Sequence, residues 1–210
     1  MKAVIFDLDG VICHTDEYHY QAWKAMADSM GIPFDRQVNN RLRGVSRMAS
    51  LDIILEQYNG ELSQAEKEEL AEQKNERYKE SLKNMSPADL SEEVKTTLEV
   101  LRQRGYKLAI GSSSKNARFI LQQLGLGSFF DAISDGNNIT HSKPDPEVFV
   151  KAAQMLCIPA EDCLVVEDAV SGAIAGKRGG MKVACVGDAA AEKAGDYNLT
   201  SFANLLEVTQ

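Results

Sequence analysis

The sequence predicts an α/β fold: a doubly wound, mainly parallel sheet with a small all-helical domain inserted after its first strand. Three observations predict it. Short apolar runs at 3–8 (AVIFDL), 107–112 (KLAIGS), 132–135 (AISD), 163–168 (CLVVED) and 182–187 (KVACVG) read as buried strands. Helical patterns separate most of them, as parallel strands require. Roughly 95 residues lie between the first two strands, far more than one crossover helix needs.

In chain order, the first strand runs into Asp7-Leu8-Asp9-Gly10. Residues 16–30 form a helix with His19, Trp23, Met26 and Met30 along one side, closed by Gly31 and Pro33. Ser46 caps a second helix through about Gln57. Ser63-Gln64-Ala65-Glu66 is a capping box for a third, through about Leu82. The charge run from Glu66 to Glu80 reads as a solvated face of that third helix. The predicted insert is therefore 15–85, with connectors at 12–16 and 84–89 as natural hinges, and the α/β core is 1–14 plus 86–210. Beyond the insert, Val94, Leu98 and Leu101 mark the inner side of a helix that ends at Gly105. Asp145-Pro146-Glu147 starts another, with Phe149, Ala153 and Leu156 as its inner stripe.

The 210 residues are 44% hydrophobic and 26% charged, enough for a proper core. A formal net charge of −8 argues against nucleic acid or an anionic membrane as the partner, since both need a basic surface. No leader-like start and no run approaching ~20 apolar residues is present, so a cytoplasmic protein is expected. Cys13, Cys157, Cys163 and Cys185 are scattered and read as reduced thiols rather than a metal site or a disulfide framework.

Open α/β sheets bind ligands beyond the carboxyl ends of their strands, where strand order reverses. Asp7, Asp9 and Gly10 follow the first predicted strand, Ser112-Ser113-Ser114-Lys115-Asn116 the second, Ser142-Lys143-Pro144 the third, and Glu167-Asp168 ends the fourth. A lone Asp-x-Asp is more often a solvated turn, and a serine-rich loop or a single lysine says less still. Their convergence on one rim changes the reading. Carboxylates of Asp7 and Asp168, assisted by Glu167, suit Mg²⁺, a hard cation that makes an acidic cluster tolerable. The hydroxyls and amides of 112–116 can take phosphate oxygens, and Lys143 adds positive charge. Such a site favours phosphoryl transfer, one carboxylate attacking phosphorus and another moving protons.

FDLDGV, GSSSKN, SKPDPEVF and VVEDAVSG resemble, in order and spacing, the four motifs of the haloacid dehalogenase superfamily, across essentially the whole chain. The helical insert resembles that family's small cap. TDEYHYQAW, RLRGVSR and SPAD resemble its sugar-phosphate mutase branch more than its general phosphatases. The resemblance implies a Rossmann-like core, a Mg²⁺ cofactor, a small sugar phosphate as substrate and a monomer. It implies that Asp7 is the nucleophile and Asp9 the general acid and base, with the Asp9 carbonyl also reaching the metal beside Glu167 and Asp168. Ser112 and Lys143 would hold the transferring phosphoryl group, and Ser114, Lys115 and Asn116 would contact substrate. From the insert, Gly44, Val45 and Arg47 would bind the sugar phosphate, while Thr15 and His19 couple closure to acid-base chemistry. Trp23 reads either as insert core or as a further substrate contact. Arg47 stands just inside a helix start, where a cation suggests that a ligand brings the anion.

The chain departs from the family at three places. His14 replaces a common Asp, Arg43 a common Lys, and Ser91-Glu92-Glu93 a Pro-Gly. The activity implied is interconversion of β-glucose 1-phosphate and glucose 6-phosphate through an aspartyl phosphate and a bisphosphate. A phosphatase using the same residues is the nearest alternative. A receiver-type signalling module is remote, since it needs neither an insert nor an acid two residues beyond the acceptor.

Overall fold

The computed structural model describes residues 1–42 and 45–209; Gly44, named above as a substrate contact, and Arg43 lie outside the described residues. The chain forms two compact units, 1–14 with 85–210, and 15–84. Among the described residues no helix is long and apolar enough to cross a membrane.

The larger unit is built on a six-stranded parallel sheet in the order β3-β2-β1-β4-β5-β6. Its strands are β1 (Ala3–Phe6), β2 (Lys107–Gly111), β3 (Ala132–Ser134), β4 (Cys163–Glu167), β5 (Lys182–Cys185) and β6 (Tyr197–Asn198). Four consecutive core strands are apolar because helices cover the sheet: α5 (Glu92–Gln103), α6 (Ala117–Gln123), α7 (Glu147–Leu156), α8 (Val170–Arg178), α9 (Gly187–Ala191) and α10 (Leu205–Val208). Val94, Leu98 and Leu101 of α5 are buried, as are Phe149 and Ala153 of α7, while Leu156 packs at that cluster's margin. Ser91 caps α5 by accepting from the Val94 amide, and Glu92 and Glu93 occupy the first turn, where the helix dipole favours acids. Gly105 ends the α5 turn at φ +85°, a conformation costly for any residue with a Cβ.

Edge strand β6 is not evident in the sequence. It has two exposed residues and pairs only with β5, so it carries no apolar run to betray it. Such a short edge also limits pairing with other chains.

Order reversal falls at the centre of the sheet. From β1 the chain passes outward through β2 and β3, then returns to the other side of β1 for β4. Phe6 pairs with Val166 on one side and Ile110 on the other, so the residues just beyond, Asp7, Glu167 and Gly111, stand level at the carboxyl rim.

The smaller unit contains α1 (Asp16–Ser29), α2 (Arg36–Asn40), α3 (Arg47–Leu55) and α4 (Gln64–Leu82). Trp23, Met26, Ala27, Phe34, Leu51 and Ile54 form its core, with α1 and α3 both packed on α4. The Ser46 cap and the Ser63–Glu66 capping box form as the sequence predicts. Helix α2 was not predicted: it is five residues long, buries nothing fully, and rests on the Asp35 side chain accepting from the Val38 amide. The charge run does not form a uniformly solvated face. Lys74 and Asn75 are buried, at 3% and 4% exposure, because they share the inner stripe Ala71, Lys74, Asn75, Tyr78, Leu82.

Candidate active site

Just beyond β1 the backbone makes a tight turn. The Leu8 carbonyl accepts from the amides of Ile12 and Cys13, the Gly10 amide donates to the Cys13 carbonyl at 2.7 Å, and Gly10 holds φ +87°. This keeps Asp7 at the strand end, 7% exposed, and leaves Asp9 partly exposed on the turn. A Cβ at Gly10 would lie 2.2 Å from an Asp168 carboxylate oxygen, and one at Gly172 would lie 1.8 Å from Glu167 Oε1. Both glycines are therefore demanded by the acids beside them.

Lys143 supplies the counter-charge. Its Nζ lies 2.6 Å from Asp7 Oδ1 and 2.5 Å from Glu167 Oε1, all three groups being buried. Burial alone would lower the lysine pKa, but Asp7 and Glu167 outweigh it and raise it, so the ammonium stays charged. Burial likewise raises the Glu167 pKa, with Lys143 opposing and Asp7 adding to the rise. The lysine also lies 4.7 Å above the Phe149 ring, whose place depends on Gly111: a Cβ there would come within 2.6 Å of the ring. The loop carrying Lys143 is folded back by Glu147, which accepts from the Thr140 and His141 amides and pairs with Lys151. Those donors, the Lys151 hydrogen bond first, pull its carboxyl down to about 2.

Asp7, Glu167 and Asp168 each offer a carboxylate oxygen within 4.8 Å of the others. The donor set is hard oxygen throughout, and three carboxylates against one ammonium carry a formal charge of minus two. These residues fit a divalent cation such as Mg²⁺. Glu167 is the most committed member. Its Oε2 accepts from the amides of Asp168 and Ala169, both at 2.9 Å, while Oε1 holds Lys143. It orients the cluster more than it offers a vacant ligand position.

Ser112, 2% exposed, follows β2. Its hydroxyl oxygen accepts from the Ser114 amide at 3.1 Å, and the Ser114 hydroxyl accepts from the Asn116 amide at 3.2 Å. This corrects part of the expectation that the amides of 112–116 bind phosphate: those two N–H groups are spent inside the loop. The compensation is that each hydroxyl, already accepting, keeps its O–H to donate to an anion. Asn116 is buried and Lys115 exposed.

Within the helical unit a second set assembles. Thr15 is the buried N-cap of α1; its side chain does not cap the helix, while its carbonyl accepts from the His19 amide. His19 stacks on Tyr78, ring centroids 4.0 Å apart, and its Nδ1 lies 2.9 Å from Lys74 Nζ. Burial of the ring, then the nearby cations Lys74 and Arg47, hold the His19 pKa well below the usual 6.5. Lys74 Nζ sits 4.7 Å from the Trp23 ring centroid and 4.5 Å from that of Tyr78. Trp23 is thus both core and a platform for charge. Arg47 donates to Asn75 Oδ1 at 2.8 Å and pairs with Glu72 at 3.1 Å; Val45, two residues before it, is partly buried. Lys74, Asn75 and Tyr78 escaped the sequence reading, though the spacing of Ala71, Tyr78 and Leu82 places a lysine on an apolar stripe. That is the signal that could have found it.

A family model described as haloacid dehalogenase-like hydrolase matches residues 1–180. The chain is 44% identical over 189 residues to a β-phosphoglucomutase of Bacillus subtilis, covering 89% of this chain and 84% of that one. It is 32% identical to a fructose-1-phosphate phosphatase of Escherichia coli, over 85% of this chain and 92% of the relative. A crystal structure of a β-phosphoglucomutase from Clostridium difficile superposes with a TM-score of 0.93 at 35% identity, covering 100% of this chain and 96% of the other.

Proposed function

The chain belongs to the haloacid dehalogenase-like hydrolases and is an enzyme, and from that premise we propose that it interconverts β-glucose 1-phosphate and glucose 6-phosphate by moving phosphate through Asp7. The observation that carries the proposal is the buried cluster of Asp7, Glu167 and Asp168 closed by Lys143.

Phosphorylated Asp7 gives its phosphoryl group to the 6-hydroxyl of β-glucose 1-phosphate, forming the bisphosphate and freeing the carboxylate; Asp7 Oδ then attacks the C1 phosphorus of the bisphosphate, glucose 6-phosphate leaves through its C1 oxygen, and the aspartyl phosphate is restored. Asp9, the more exposed of the two acids, gives the leaving oxygen its proton and takes the proton from the attacking hydroxyl. Ser112 O–H and Lys143 Nζ steady the oxygens of the transferring group. Mg²⁺, held by Asp7, Asp168 and the Asp9 carbonyl with Glu167 orienting them, would neutralise phosphate charge and polarise the P–O bond. A mutase must also hold a second, unreactive phosphate, and Arg47, pre-oriented by Asn75 and Glu72, is assigned that work together with Val45 and Gly44. Ser114, Lys115 and Asn116 contact the sugar phosphate. Burial first, then Lys74 and Arg47, keep His19 neutral, and Thr15 and His19 are assigned to couple closure to the acid-base chemistry as hydrogen-bonding groups rather than as charges.

The similarity to a sugar-phosphate phosphatase favours a second reading, hydrolysis with the same residues, water replacing the second hydroxyl. One experiment separates them. The protein is incubated with Mg²⁺, β-glucose 1-phosphate and a trace of acetyl phosphate or bisphosphate, and glucose 6-phosphate and free phosphate are followed together. Glucose 6-phosphate without matching free phosphate is expected. Stoichiometric free phosphate would move the assignment to hydrolysis.

A further inference from the structure

The end of β3 and the segment after it have no part in the chemistry above, yet they touch the Ser112–Asn116 loop at several points. Ser112 N–H donates to the Ser134 carbonyl at 3.1 Å, Gly136 N–H to the Ser114 carbonyl at 3.2 Å, and Asn137 Nδ2 to the Lys115 carbonyl at 2.9 Å. A Cβ at Gly136 would lie 2.4 Å from the Ser113 carbonyl oxygen and 2.9 Å from the Lys115 amide nitrogen, both backbone atoms that cannot swing aside. The two backbones are as close as a glycine permits.

The segment is itself rigidly held. Asp135, 2% exposed, accepts through Oδ1 from the Asn137 amide at 2.9 Å and from Asn137 Nδ2 at 3.1 Å. Its Oδ2 stands 3.4 Å from Nε of Arg118, on the helix that leaves the Ser112–Asn116 loop. Asn138 Oδ1 accepts from the Asp135 amide and the Ser134 hydroxyl. The amide of Asn137 is therefore aimed: Asp135 orients it, and its donor fixes the Lys115 carbonyl.

We infer that Asn137, aimed by Asp135 and admitted by Gly136, is a positioning residue that sets the substrate-contacting end of the 112–116 loop, acting through Lys115. The inference rests on the proposed role of Lys115 in sugar-phosphate binding. Ser112 is tied separately, to Ser134, so the phosphoryl-holding end of the loop does not depend on Asn137. Specificity for the sugar phosphate and handling of the transferring group are thus fixed by different anchors in one five-residue loop.

The test uses Asn137→Ala, a change at an exposed side chain, with Gly136→Ala as the stronger perturbation. Loss of one oriented hydrogen bond should raise KM for β-glucose 1-phosphate by about 5- to 10-fold. The rate at which acetyl phosphate, which has no sugar, loads Asp7 should stay within about two-fold, less than the net energy of a typical hydrogen bond. Amide hydrogen exchange across 112–116 should quicken in the variant, a readout that needs no turnover. In a Lys115→Ala background, the KM effect of Asn137→Ala should shrink, since the two act as a unit. Unchanged exchange and KM in both variants would overturn the inference, as would a rise in KM matched by losses of acetyl phosphate loading and of thermal stability. Wild-type enzyme that does not turn over sugar phosphate would instead sink the proposed function, and the exchange measurement would still decide the positioning role.

Discussion

The α/β unit and the helical unit both enclose charge, and they settle it in opposite ways. In the first, three buried carboxylates cluster and one ammonium pairs with two of them, Asp7 and Glu167, leaving a site that attracts a cation. In the second, a buried ammonium faces an imidazole and two aromatic rings, and the imidazole is held neutral. The first arrangement suits bond-making at phosphorus, where negative charge must be gathered and neutralised. The second suits recognition of an anion that does not react. Transfer between two positions on one sugar needs both, whereas hydrolysis needs only the first.

The largest break in that comparison comes from Asp7→Asn. An amide is a poor nucleophile and a neutral ligand, so phosphoenzyme formation and nearly all turnover should vanish while the helical unit keeps its fold. Intact-mass measurement after acetyl phosphate treatment reads it directly; a phosphorylated variant would rule out Asp7 as acceptor. Asp9→Asn ranks next. It should slow transfer to and from Asp7 by about 10² or more at saturating substrate, the scale of general acid-base catalysis. An unchanged single-turnover rate would take Asp9 out of that role.

Arg47→Ala probes the other side. It removes the guanidinium held by Asn75 and Glu72 without touching the acid cluster. Formation of glucose 6-phosphate should fall by about 10-fold or more, because a bidentate phosphate contact used for positioning is lost, while acetyl phosphate hydrolysis changes little. Arg47→Lys should not restore transfer, since an ammonium lacks the planar fork. Equal loss of both activities would place Arg47 in the common machinery.

The contrast also explains what the sequence could and could not disclose. The acid site was legible because parallel-sheet physics fixes it: strands end in register, Phe6 opposite Val166, so whatever follows them meets at one rim. Lys143 was legible as a charge but not as the group bridging Asp7 and Glu167, because a residue in an irregular loop has no register to place it. The serine loop was half legible. Its residue types announced an anion site, but the internal bonds that consume the Ser114 and Asn116 amides depend on turn geometry. In the helical unit, composition misled: among glutamates and lysines from 66 to 80, Lys74 looks solvated, and only its phase relative to Ala71, Tyr78 and Leu82 places it inside. Strand β6 and helix α2 rest on two and five residues, too few for either periodicity to register.

The smallest expected effect sharpens the comparison most closely, because it asks whether Lys74 sets the charge of His19. Lys74→Met keeps a chain of similar length against Trp23 and Tyr78 and removes the ammonium 2.9 Å from Nδ1. Burial, the largest cause of the depressed His19 pKa, remains, and so does Arg47; the value should therefore rise but stay below 6.5. Stability carries the same sign. Where the folded pKa lies below the unfolded one, the contribution is intact above the unfolded value of about 6.5 and is lost as pH falls through the folded value, since the unfolded chain then binds a proton that the folded one refuses. The variant, with its two values closer together, should lose less of this contribution between neutral and mildly acidic pH. Imidazole chemical shifts followed through a pH titration give the pKa in both proteins, and unfolding midpoints at the two ends of that range give the linkage. A His19 that titrates at the same pH with and without Lys74 would mean that burial and Arg47 keep it neutral, and that the lysine serves the anion rather than the histidine.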